Sequence, residues 1–330
     1  MRKWLSLLIS LLLGYLGYAQ TIPRISVHDP VMIKQDSLYY IFATGRGITV
    51  WTSKDRVNWK REKPVFTASP DWVPKAVPKN HPNDFWAPDI SYYNGKYYLF
   101  YAVSVFGKNT SAIGLVTNKT LHTDSPDFKW EDQGEVLRSV PGQDRFNAID
   151  PNLIRDERNV PWLTFGSFWD GIKIVKLKDD LCSPAQNKPW PTIASRGELS
   201  HGSNDTTAGR GAIEGPFIFK HANFYYLFVS WDYCCRGPKS NYKMMVGRSK
   251  SVTGPYVDRN SNDMAKGGGT LVLAGDKDWY GVGHNAVCTF DGVDYLVFHA
   301  YDASDNGRSK LRIEALTWDS DGWPLVATQK

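Results

Sequence analysis

The sequence predicts an all-β chain folded as a five-bladed β-propeller, with four antiparallel strands per blade. Three observations carry that expectation. First, five segments share one pattern: "HDPVMIKQDSLYYIFATG" from His28, "APDISYYNGKYYLFYAVS" from Ala87, "IDPNLIRDERNVPWLTFGSF" from Ile149, "EGPFIFKHANFYYLFVSWD" from Glu214 and "GHNAVCTFDGVDYLVFHAYD" from Gly283. Second, each segment reads as a hairpin. A polar or ionisable residue, usually beside a proline, leads a short apolar strand, a polar turn such as "YNGK" or "FDGVD", and a strand rich in Tyr, Phe and Leu. Third, the leading residues Asp29, Asp89, Asp150, Glu214 and His284 stand 60, 61, 64 and 70 positions apart, a period that marks a repeat architecture. A β-sandwich has no reason to repeat at that interval.

The remaining strands follow in order. After each hairpin comes an alternating apolar run: "GITVWTSKD", "SAIGLVTNK", "GIKIVKLKD", "KMMVGRSKS" and "LRIEALTWD". A more variable fourth strand is expected around "NWKREKPVF", "FKWEDQGEV" and "GTLVLAG". Four short strands repeated radially describe a propeller blade, and the first strand of each would line the central channel. Helix signals are weak throughout. No low-complexity linker divides the chain, so residues 20–330 are expected to form one domain.

The chain opens "MRKWLSLLISLLLGYLGYAQ". A basic pair, an apolar run to about Leu16 and small residues at Gly17 and Ala19 read as a secretory signal peptide over residues 1–19, with the mature chain starting at Gln20. The run is short for a membrane span, and no later stretch is long and apolar enough to be one. A secreted or periplasmic monomer is expected. Formal net charge is +5, with two of those charges in the leader, which is too mild and dispersed for a nucleic-acid partner. Four cysteines exclude a disulfide scaffold. Cys234 and Cys235 are adjacent; two packed thiols or a vicinal disulfide both fit there. The 13 Trp and 17 Tyr suit β structure and flat sugar-binding surfaces.

Convergence turns scattered acids into chemistry. If every leading residue lies at one mouth of the channel, Asp29, Asp150 and Glu214 face one cavity. Glycoside hydrolysis needs two carboxyl groups, one protonated to donate to the leaving oxygen and one ionised to activate water. A third can raise the acid's pKa by repulsion. Any single Asp-Pro is more often a turn, but three acids in register across blades favour chemistry.

The segments "HDP", "FWAPDI", "NAIDPNL", "GSFWDGIKI", "AIEGPFI", "DYCCRG", "GVGHNAV" and "HAYD" followed by "GWP" resemble, in order, the signature segments of glycoside hydrolase family 43, and within it the endo-α-1,5-L-arabinanases. The resemblance runs from about residue 25 to 325. It implies a five-bladed propeller, an inverting mechanism and internal cleavage of linear arabinan. It implies Asp29 as general base, Glu214 as general acid and Asp150 as the residue that tunes and positions the acid. Trp86 and Phe106 would shape the subsite of the arabinose being cut, and Asn147, Ser167 and Trp169 would line the neighbouring cleft. His28 would sit beside the base, and Arg236 would be a binding residue near the cleft. Asp89 receives no proton to move and reads as structural or sugar-binding. The resemblance further implies a metal ion, most often calcium, held at His284 largely through waters. Calcium prefers oxygen ligands, so chemistry alone would leave His284 an ordinary polar residue. The alternatives are an exo-acting arabinofuranosidase or β-xylosidase of the same family and a non-catalytic carbohydrate-binding propeller. A fructan-processing propeller would carry "RDP" and "EC" where this chain has "IDP" and "EGP".

Overall fold

The computed structural model describes residues 25–196 and 211–326. The leader expected over residues 1–19 lies outside them. Five antiparallel sheets follow one another along the chain. Blade I comprises Val31–Gln35, Leu38–Ala43, Thr49–Ser53 and Lys60–Arg61. Blade II comprises Asp84–Tyr93, Lys96–Ser104, Ser111–Asn118 and Glu131–Ser139, and the two-residue strand Gly45–Arg46 pairs with its inner edge. Blade III is Asn152–Arg155, Pro161–Phe165, Ile172–Lys176 and Thr192–Ala194. Blade IV is Ile213–His221, Phe224–Trp231, Lys243–Ser249 and Thr270–Ala274, and blade V is Trp279–Phe290, Val293–Asp302, Arg308–Trp318 and Pro324–Val326. The arrangement is a five-bladed β-propeller. Helix is confined, among the described residues, to one turn at Val73–Ala76 and three 3₁₀ turns. None is long or apolar enough to cross a membrane.

The hairpins close as their sequences dictate. Tyr93 pairs with Lys96 and Phe290 with Val293, which leaves two-residue turns at Asn94-Gly95 and Asp291-Gly292. All four turn residues have positive φ, the type I′ geometry whose twist matches the strands. Between adjacent blades lie five apolar clusters, one at each junction. The last joins Val27, Met32 and Ile41 to Val297, Leu311 and Ile313 and so closes blade V onto blade I. Backbone reinforces that closure, because the Leu311 N–H donates to the Ile25 carbonyl at 3.0 Å.

The first strand of every blade packs against the first strands of both neighbours, which makes these five strands the inner wall. At the head of each inner strand one residue has a left-handed backbone: Asp29 (φ 51°), Ala87 (44°), Asp150 (58°), Gly215 (59°) and His284 (52°). Pairing registers shift at this point in blades II, IV and V, so the heads are bulged there. The structural repeat is therefore carried by these five residues. Ala87, two positions before Asp89, is the true head of blade II, and Gly215, not Glu214, is the head of blade IV.

That shift in phase explains Asp89. Its buried carboxyl accepts the Leu153 N–H at 2.8 Å and Asn152 Nδ2 at 3.2 Å. Asn152, at the same place in blade III, passes the pattern on by accepting the Ile218 N–H at 2.8 Å. Asp89 is thus a clasp between blades II and III. Burial pushes its carboxyl up to about 6 against the pull of those two donors.

Candidate active site

The site is built around the His284 ring. Gly215 lies beneath it, and a Cβ at position 215 would stand 3.2 Å from His284 Cγ and Nδ1. Both φ and space therefore call for glycine there. His284 Nδ1 is 3.1 Å from Asp29 Oδ1. The Gly215 N–H donates to Asp150 Oδ2 at 3.0 Å. Glu214, one residue earlier, reaches the same space with both carboxyl oxygens engaged. Ser167 Oγ donates to Oε2 at 2.8 Å, and the Tyr242 hydroxyl donates to Oε1 at 2.7 Å. Asp29, Asp150 and Glu214, from three different blades, thus surround one imidazole.

Their environments push them apart. Burial opposes ionisation of Asp29, but the His284 charge and hydrogen bond, with His299 and His28 near, hold its carboxyl far below the ordinary range. Thr44 Oγ1 adds a 2.5 Å hydrogen bond to Asp29 Oδ2 while accepting the Ala87 N–H at 2.8 Å. Burial acts in the same direction on Asp150 and prevails there: its carboxyl is pushed up to about 8, with help from the charges of Glu214 and Asp29, against His284. Glu214 is also raised by burial, opposed by its Tyr242 and Ser167 donors and by the His284 charge. His284 loses basicity to burial and regains more from Asp29 and Asp150, ending at about 9. A carboxyl held ionised beside two whose ionisation is disfavoured is the division of labour that acid–base hydrolysis requires.

His299 is fully buried behind the base. The Asp29 N–H donates to its Nδ1 at 3.1 Å, so that nitrogen carries a lone pair. The 3.6 Å approach of the same nitrogen to Asp29 Oδ1 is therefore not an ion pair. Burial, with His28 near, drives His299 well below its ordinary range, in keeping with a neutral ring.

The other expected site residues are placed as follows. The His28 ring lies 4.6 Å from that of His299. Trp86 is half-buried and its Nε1 donates to Asp84 Oδ2 at 2.9 Å. Phe106 is 80% exposed in the loop between Ser104 and Ser111, an apolar ring turned to solvent where an apolar ligand face could cover it. Asn147 is buried, its Oδ1 accepting from Ser111 Oγ at 2.6 Å. Ser167 holds the Glu214 carboxyl. Trp169 is buried with its Nε1 unpartnered among the described residues. Arg236 is exposed and stacks over Tyr233 at 3.8 Å. Cys234 and Cys235 are joined as a vicinal disulfide, which decides between the two readings of that pair. Sequence patterning does not single out Tyr242, Thr44, His299 or Tyr301 as site residues. One signal was available for Tyr242: the glycine of "GVGHNAV" nearest the histidine, Gly283, is where a Cβ would stand 2.2 Å from Tyr242 Cδ1.

Two places offer metal-ligating atoms. His28, Asp29 and His299 bring one ligand atom each within 4.8 Å of one another, but His299 Nδ1 is taken by the Asp29 N–H and its Nε2 faces the Tyr301 hydroxyl at 3.3 Å. That donor set does not fit a cation. His284 does fit one as a single ligand: Asp29 engages Nδ1 and leaves Nε2, the carboxylate–histidine arrangement common behind metal ligands. Next to it, both amide atoms of buried Asn285 find no partner among the described residues.

The comparisons agree with this architecture. The family model for glycosyl hydrolases family 43 matches residues 18–324. An extracellular exo-α-(1→5)-L-arabinofuranosidase of Cellvibrio japonicus is 51% identical over 92% of this chain and 87% of its own. An extracellular endo-α-(1→5)-L-arabinanase of Bacillus subtilis is 44% identical over 90% and 87%. Among solved structures, the Cellvibrio cellulosa α-L-arabinanase complexed with arabinohexaose superposes with a TM-score of 0.88 at 49% identity, covering 92% of this chain and 96% of that one. An exo-1,5-α-L-arabinanase from a bovine ruminal metagenomic library gives 0.87 at 50%, covering 93% and 98%. With the propeller, the ordered motifs and the converged carboxyls already in place, the chain belongs to glycoside hydrolase family 43 and is a glycoside hydrolase.

Proposed function

We propose that this is a secreted arabinanase that hydrolyses internal α-1,5-L-arabinofuranosidic bonds of linear arabinan with inversion, acting as a monomer. The observation that carries the reading is the convergence of three carboxyl groups from different blades on the His284 ring, with Asp29 paired to the imidazole and Glu214 held by Ser167 and Tyr242, and with burial disfavouring ionisation of Asp150 and Glu214. Asp29 takes a proton from water as the water oxygen attacks the anomeric carbon. Glu214 gives its proton to the leaving oxygen on the opposite face, and the C–O bond breaks. Asp29 ends protonated and Glu214 ionised, and exchange with solvent resets both. Asp150 and Glu214 each make ionisation of the other costlier, which keeps a proton available to the acid. Ser167 and Tyr242 aim the Glu214 carboxyl. Trp86 and Phe106 offer the apolar ring surfaces on which an arabinose would rest, with His28, Asn147, Trp169 and Arg236 along the cleft.

A calcium ion held on His284 Nε2 with a water shell is the proposed metal. When bound, it supplies positive charge beside the carboxylates, a task the imidazolium otherwise performs. Secretion is supported by the leader-like first 19 residues and by the extracellular relatives named above.

One observation favours a second reading, in which cleavage proceeds from a chain end. The relative named as an exo-enzyme is 51% identical and the one named as an endo-enzyme 44%. Product analysis on linear arabinan, with xylan and levan as controls, separates them. A ladder of oligomers at early times supports internal cutting. One short product from the first minutes supports the exo mode, and activity on xylan alone would refute the substrate.

A further inference from the structure

Two motifs remain without a part in the proton transfers, Arg236 having been given only a binding role: "HAYD" on the second strand of blade V and "CCRG" in the loop after the second strand of blade IV. They meet behind the base. The His299 ring, from the first motif, is fully buried among the rings of His28 at 4.6 Å, Tyr301 at 5.4 Å and Tyr242 at 5.9 Å. Its Nδ1 accepts the Asp29 N–H at 3.1 Å. With Nδ1 occupied as an acceptor, the ring proton sits on Nε2, which faces the Tyr301 hydroxyl at 3.3 Å. That hydroxyl also accepts the Cys235 N–H at 2.7 Å. The path is continuous: Cys235 N–H, Tyr301 hydroxyl, His299 ring, Asp29 backbone.

We infer that His299 and Tyr301 are positioning residues that hold the general base through its backbone, with the vicinal Cys234–Cys235 turn as the outer anchor. The reasoning starts at Asp29's backbone. Its φ of 51° lies in a region that costs a non-glycine residue free energy and persists only where surroundings fix it. Its amide is aimed at His299, and the side chain is left facing Thr44 and His284. If the acceptor at Nδ1 is removed, this part-buried N–H is orphaned and the backbone has reason to turn elsewhere. The carboxylate would then leave the place from which it activates water. Cys235 also has a left-handed backbone, at φ 63°, so both ends of the relay are residues held in uncommon conformations. This inference rests on Asp29 being the base. The experiment below therefore includes Asp29→Asn by itself, whose full activity would refute that assignment separately from the relay.

The test is steady-state kinetics on arabino-oligosaccharides with His299→Asn, His299→Leu, Tyr301→Phe and the double variant Cys234→Ser/Cys235→Ser, each checked for an intact melting transition. Asn can present an oxygen near the Nδ1 position; Leu cannot. His299→Leu should lower kcat by about 10- to 100-fold, the scale of a misplacement of roughly an ångström. KM should change less than about threefold, because the substrate-facing groups are untouched. His299→Asn should recover a substantial part of the loss. Tyr301→Phe and the double serine variant should each cost less than His299→Leu, and combined should cost no more than Tyr301→Phe alone. In an Asp29→Asn background, His299→Leu should cost nothing further, since the group it positions is already gone. Additive losses in that background would overturn the inference. So would a loss confined to KM, equal defects in the Asn and Leu variants, or wild-type kcat in a folded His299→Leu enzyme.

Discussion

Replacing Tyr242 by Phe removes one hydroxyl and almost no volume from a fully buried position. That hydroxyl donates to Glu214 Oε1 at 2.7 Å. A hydrogen bond to a charged group contributes about 1.5–3 kcal/mol, and it favours the ionised carboxylate over the neutral acid. Because 1.36 kcal/mol corresponds to one pKa unit, losing it should raise the Glu214 pKa by about one to two. Glu214 must be protonated to act, so the enzyme loses activity as pH rises through that value. The basic limb of log kcat/KM against pH should therefore move upward by about one to two pH units in Tyr242→Phe. The acidic limb, set by Asp29, should stay in place, because Tyr242 makes no hydrogen bond to that carboxylate. Rate–pH profiles on arabinotriose, for wild type and variant at fixed ionic strength, measure both limbs. A basic limb that stays put, or moves to lower pH, would refute both the donor's role and Glu214 as the acid.

Three further outcomes follow from the same geometry. Gly283→Ala would place a methyl 2.2 Å from the Tyr242 ring; overpacking of this kind costs about 1–3 kcal/mol, so thermal denaturation should show a lowered Tm together with reduced kcat, and unchanged values of both would contradict the packing. Asp29→Asn and Glu214→Gln should each lower the rate on arabinan by about 10²-fold or more, yet an aryl arabinoside with a good leaving group should rescue only Glu214→Gln, and rescue of both or of Asp29→Asn would reverse the assignments. Exhaustive chelation should lower Tm, and added calcium should restore it, by the linkage that stabilises any state binding a ligand; a melting curve unmoved after verified metal removal would leave His284 without a metal.

Much of this site is legible in the chain, and the part that is not has a definite cause. The five hairpins are local patterns, and in two of them the Asn-Gly of "YNGK" and the Asp-Gly of "FDGVD" form the type I′ geometry they encode. Asp29, Asp150, Glu214 and His284 could be found because each sits at or beside the head of an inner strand. The phase of blade II could not be fixed from the acids. Aligning on acidic residues selects Asp89, whereas Pro30, Pro88, Pro151 and Pro216 all directly follow a left-handed head residue and would have selected Ala87. Chemistry-bearing residues drew the alignment, but backbone geometry sets the repeat. The supporting side chains are harder still. His299 meets Asp29 across 270 positions of sequence and Tyr242 meets Glu214 across 28, and neither stands at the head of an inner strand, so no spacing rule points to it. Only Gly283, glycine because Tyr242 occupies the space of a Cβ, left a trace of that packing in the sequence.

The central claim is that Asp29 activates water on one face of the sugar while Glu214 protonates the leaving oxygen on the other, and the anomeric configuration of the first-formed product tests it most directly. Proton NMR during the first minutes of arabinan hydrolysis, before mutarotation, should show newly formed reducing ends in the β configuration, inverted from the α linkage that was cut. Initial appearance of α reducing ends would mean that a carboxylate attacks the sugar itself, and would contradict the account.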